Sequence, residues 1–106
     1  MRIIIRADGN REIAMGHIMR CLSIADVMKT KAEVVFVTAG RETEELIRGR
    51  GFRNVVFGTD YRDMESELPA LGAFLAEYPA QLILTDSYFV TGNYMEALGK
   101  LSLLRL

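Results

Sequence analysis

The chain has 106 residues, half of them hydrophobic, with 13 basic and 14 acidic side chains for a net charge of -1. That is enough to enclose one core and too little for two, so a single domain spanning residues 1–106 is expected. The near-neutral balance argues against a nucleic-acid or anionic-membrane partner, the lone Cys21 cannot form an internal disulfide, and the apolar start "MRIIIRAD" is too short for a signal peptide or a membrane span. A cytoplasmic protein is expected.

Arg2 to Ala7 is a short, almost continuous apolar run with three isoleucines, the pattern of a strand buried on both faces of a parallel sheet. A loop from Asp8 to Met15 follows. From Gly16 the period becomes helical: Ile18, Cys21, Leu22, Ala25 and Met28 share one face, Arg20, Ser23 and Lys29 lie off it, and the helix should end between Lys29 and Lys31. "EVVFVTAG", Glu33 to Gly40, predicts a second strand. "RETEELIRGRGF" predicts a helix with acids in its first turn and arginines in its last, and "NVVF" a third strand.

The segment from Met64 to Glu77 predicts a helix, provided that Pro69 falls in its first turn. "QLILTD" predicts a fourth strand, "GNYMEALGK" a short helix and "LSLLRL" a truncated fifth strand. This alternation predicts an α/β fold: a Rossmann-like parallel sheet flanked by helices and joined by right-handed crossovers. The Leu-rich ending, without cap or turn, suggests the front part of something larger, with a missing C-terminal domain or self-association to cover it.

In such sheets ligands bind beyond the carboxyl ends of the strands, near the point where strand order reverses. That rule nominates the loop before His17 and the segment containing Asp86, Ser87 and Tyr88. His17, the only histidine, falls in the first turn of the first helix, where the positive end of the helix dipole favours a neutral ring able to accept a proton. A surface or capping histidine is the alternative. Arg20, three residues on, shares its flank and is placed to hold an anionic group, or else is simply solvated.

Gly16 allows close approach to the helix terminus. Asp86 and Tyr88 end a buried strand with polar groups suited to substrate binding, unless Asp86 caps the next helix and Tyr88 packs at the sheet edge. "RGRGFR" reads as solvated arginines and Cys21 as an inert core thiol. There is no dinucleotide fingerprint, no phosphate-loop lysine and no Cys/His spacing for a metal, so no cofactor or metal is expected.

The opening "IRADGNREIAMGHIMRCLSIAD" resembles the start of the UDP-2,4-diacetamido-2,4,6-trideoxy-β-L-altropyranose hydrolases of pseudaminic acid biosynthesis, a family related to spore-coat polysaccharide proteins. Arg6, Asp8, Gly16, His17 and Arg20 match its motif, and "TDSY" resembles its Asp-x-Tyr after a strand. Where the family loop carries a first glycine this chain has Ala14, so a positive φ there would be strained.

The resemblance implies the N-terminal half of a two-domain GT-B fold whose C-terminal domain grips most of the UDP. It implies metal-free hydrolysis by water at the anomeric carbon, with His17 as base, Tyr88 as a substrate contact, and Gly16 and Arg20 near the pyrophosphate or sugar. The expected small-molecule partner is a UDP-sugar. A GT-B glycosyltransferase and a non-catalytic sugar-nucleotide-binding or assembly module are the competing readings.

Overall fold

The computed structural model describes residues 1–9, 15–86, 91–101 and 104–105. Its strands are β1 (Arg2–Ala7), β2 (Glu33–Thr38), β3 (Arg53–Val56), β4 (Leu82–Asp86) and the two-residue β5 (Leu104–Arg105). They form one parallel sheet in the order β3-β2-β1-β4-β5. The helices are α1 (Gly16–Met28), α2 (Glu44–Gly49), α3 (Leu68–Glu77) and α4 (Gly92–Leu101). The strand order is Rossmann-like: the chain begins in the middle of the sheet, winds out to β3, and crosses back so that β4 pairs with the free side of β1.

The period of two along β1 assigns its side chains to two cores. Ile3, Ile5 and Ala7 pack with Val34, Phe36 and the face of α1 made by Ile18, Cys21, Leu22 and Ala25, with Ile47 of α2 beside them. Ile4 faces the other way, against Val37, Ile83, Leu71 and Leu75 of α3, and Tyr94 and Leu98 of α4. Burial on both faces is why the strands read as continuous apolar runs. Leu22 is wholly buried, so Leu22→Ala should cost about 2–5 kcal/mol of stability, measured by urea unfolding.

Two elements differ from the expectation. The second helix is shorter than the segment starting at Arg41: it spans six residues, keeps Glu44 and Glu45 in its first turn and Arg48 in its last, and is followed by Gly51 at φ 88°. Only a residue without Cβ takes that φ at little cost, so the helix cannot run on into Phe52. The expected helix over Met64 to Glu77 divides in two, a 3-10 turn at Met64–Glu67 and then α3. Pro69 has no N–H for the Glu65 carbonyl, so the Leu68 N–H takes that acceptor in a tighter turn.

None of the described helices is long and apolar enough to cross a membrane.

Candidate functional site

Strand order reverses between β1 and β4, and there the register sets Ala7 beside Asp86. Along β4 the alternation that turns Leu82 and Leu84 toward the α1 core carries Asp86 to the same side, at the carboxyl end of the strand. The chain leaving β1 returns as α1 on that side. Gly9 makes this close return possible: a Cβ there would stand 2.9 Å from Met15 Sδ and 3.0 Å from Ile18 Cγ1. Any larger residue would have to displace these side chains, a tightness around Gly9 that no spacing in the sequence reveals.

At this junction the His17 Nδ1 lies 2.5 Å from Asp86 Oδ1. Arg20 donates to both oxygens of the same carboxylate, from Nε to Oδ2 at 2.9 Å and from Nη2 to Oδ1 at 2.8 Å. Cys21 Sγ donates to Oδ2 at 3.7 Å. Burial alone would raise the Asp86 carboxyl, but the hydrogen bonds from Arg20 and His17 outweigh it and hold the group below the usual carboxylate range. Arg20 Nη2 also lies 3.1 Å from Nδ1, but an ionised carboxylate only accepts, so the shorter contact assigns the Nδ1 proton to Asp86 and, in the neutral ring, leaves the lone pair on Nε2, which is buried.

His17 is therefore neither a surface residue nor a cap. It is 9% exposed, and the α1 N-cap position is Met15, which makes no side-chain cap. Asp86 does not cap α4 either, because the Tyr94 N–H donates to Thr91 Oγ1. Arg20 keeps a largely exposed side chain while one edge of its guanidinium engages Asp86, so the anion it holds in this structure is a residue of the chain itself. Gly16 is exposed at the first position of α1, and a Cβ added there would meet nothing within 4 Å. Among the described residues, packing does not demand a glycine there. Tyr88, Ser87 and the strain expected at Ala14 lie outside the described residues.

Cys21 is the buried core thiol expected, with its Sγ reaching the edge of this cluster. Burial, with the Asp86 charge next to it, pushes its thiol up to about 12. The thiolate is the reactive form, so iodoacetamide at pH 8 should leave the native chain largely unlabelled and modify it once urea has unfolded it. Quick native labelling, followed by mass spectrometry, would show the cluster to be open.

A second polar cluster, on the opposite face of the sheet, was not apparent from the residue pattern. Arg6 is fully buried; its Nε donates to both Glu67 oxygens at 2.9 Å and its Nη1 to Asp8 Oδ2 at 2.7 Å. Asp8 Oδ1 in turn accepts the Ala39 N–H at 2.8 Å, tying the end of β1 to the end of β2. Glu67, at the close of the 3-10 turn, has no exposed surface. The available signal was an arginine inside an otherwise apolar strand, which demands a buried counterion without saying where in the chain it comes from. Among the described residues, no group of three or more His, Cys, Asp or Glu side chains is placed to hold a metal ion.

Fold and site together define an α/β domain of Rossmann-like strand order with a carboxylate-anchored imidazole at the switch point of its sheet. No family model matches the chain, and no curated protein matches it.

Proposed function

We propose that this domain is the sugar-side half of a nucleotide-sugar hydrolase that releases UDP and free sugar from a UDP-activated 2,4-diacetamido-2,4,6-trideoxy sugar, in pseudaminic acid or related surface-polysaccharide biosynthesis. The observation that carries the reading is the His17–Asp86 pair at the carboxyl ends of β1 and β4. With Nδ1–H committed to Asp86, Nε2 is the basic nitrogen. Nε2 is buried here, so the proposed step needs the site to open with the sugar; Nε2 then takes a proton from water as the water oxygen bonds to the anomeric carbon. The bond from that carbon to the diphosphate oxygen breaks, and its electron pair leaves with UDP.

The remaining roles rest on the resemblance and, for the described residues, on position as well. Arg20 and Asp86 orient the imidazole, and the resemblance sets Arg20, whose side chain is largely exposed, near the pyrophosphate or sugar. Gly16 opens a 13-residue helix whose N-terminal dipole favours a phosphate or sugar oxygen, the neighbourhood the resemblance assigns to it. Tyr88 contacts the sugar. A C-terminal domain completing a GT-B architecture holds the nucleotide, and the reaction takes place in the cytoplasm.

The test is to incubate the protein bearing this domain and its nucleotide-binding partner domain with the UDP-sugar and no acceptor. UDP plus free sugar is the expected result. Release only when an acceptor hydroxyl is added would make it a transferase, and binding without turnover a non-catalytic module. In the same assay Asp86→Asn, which removes the charge anchoring both His17 and Arg20, should lower kcat by about two to four orders of magnitude with a smaller change in KM. Near wild-type turnover in that variant would remove Asp86 from the mechanism.

A further inference from the structure

Asp8 is buried where charge balance does not require it. The Arg6 guanidinium already has both oxygens of Glu67 on its Nε, and a second carboxylate 2.7 Å from its Nη1 leaves the cluster with an excess of negative charge. The excess is felt within the cluster: the Glu67 carboxyl is pushed up by burial and further by the Asp8 charge, against the pull of Arg6. Burying an ion in surplus lowers stability, so stability alone does not account for a charge at this position.

The other oxygen of Asp8 does. Oδ1 accepts the Ala39 N–H at 2.8 Å, just past the end of β2, while the Ala39 carbonyl accepts from the Gly58 and Thr59 N–H groups beyond β3. One side chain thus fastens the exit of β1 to the exits of its neighbours. The next residue carries that fastening to α1, because Gly9 sits against Met15 and Ile18, which flank His17 in the sequence, with Thr43 closing the remaining side.

We propose that Asp8 is a positioning residue for His17: by holding the exit of β1 at both of its carboxylate oxygens, it sets the first turn of α1 where Nδ1 meets Asp86. Its catalytic meaning rests on the proposed role of His17 as the base; the structural coupling does not. The task needs a carboxylate, which accepts at both oxygens. Asparagine has the same shape but accepts at one, and whichever way its amide turns, its NH2 group faces a donor, either Arg6 Nη1 or the Ala39 N–H.

His17 is the only histidine, so nitrogen-15 histidine labelling of the chain reports its ring alone. Asp8→Asn should shift the Nδ1–H resonance or lose it to exchange with water. Glu67→Gln is the matched control: it too leaves Arg6 with one carboxylate, but it spares both bonds of Asp8, and its spectrum should keep the wild-type resonance. If Asp8→Asn does not fold, Gly9→Ala, which disturbs the same joint from its other side, should move the resonance in its place. An unchanged resonance in whichever of these two variants is read, or an equal shift in Glu67→Gln, would overturn the proposal. Neither result depends on UDP release, so a chain that shows the expected shift in a protein without turnover keeps the coupling and loses only the hydrolase reading.

Discussion

His17→Ala should reduce UDP release in the intact protein by about a hundred- to ten-thousand-fold, the usual contribution of a positioned general base. Nucleotide affinity should scarcely change, because in the proposed arrangement the other domain grips the UDP. Removing the imidazole leaves Asp86 still held by two hydrogen bonds from Arg20, so the strand end keeps its partner and the fold should survive. Parallel measurement of turnover, UDP binding by calorimetry and thermal unfolding separates the outcomes. A folded variant that binds UDP and turns over at the wild-type rate would exclude His17 as the base.

The largest effect on stability should come from the opposite face of the sheet. Glu67→Ala would strand the buried Arg6 guanidinium with only Asp8, and breaking a buried pair in this way costs about 3–5 kcal/mol. Against a total stability of about 5–15 kcal/mol for a domain, that loss should leave the chain marginal or unfolded. Circular dichroism with urea titration would measure it, and a loss below about 1 kcal/mol would show that the cluster relaxes on truncation.

Glu67→Gln tests the same cluster through pH. Burial pushes the Glu67 carboxyl up, and although Arg6 opposes this, the net direction is upward. A group whose folded value is raised binds its proton more tightly in the native state. Its stabilising contribution is therefore complete below the ordinary carboxylate range and is lost as pH rises through the raised value. Glutamine has no proton to lose, so wild-type stability should fall relative to Glu67→Gln across that interval. Asp86, held low, acts with the opposite sign: its contribution is present above the ordinary carboxylate range and disappears as pH falls through the depressed value.

Local pattern alone determined the alternation of strands and helices and the apolar face of α1, because each rests on a short-range period: two along a strand, about 3.6 along a helix. Pairing over long sequence distances was not legible in that pattern. That Asp86, 69 residues from His17, is the carboxylate on its Nδ1 depends on β4 docking against the free side of β1, and nothing near either residue encodes that neighbour. The same holds for Glu67, 61 residues from Arg6, and for the tight surroundings of Gly9, which arise only when the Met15, Ile18 and Thr43 side chains close around it. Such partners are chosen when the sheet assembles, since a buried charge must find its counterion wherever packing of the two faces brings one within reach.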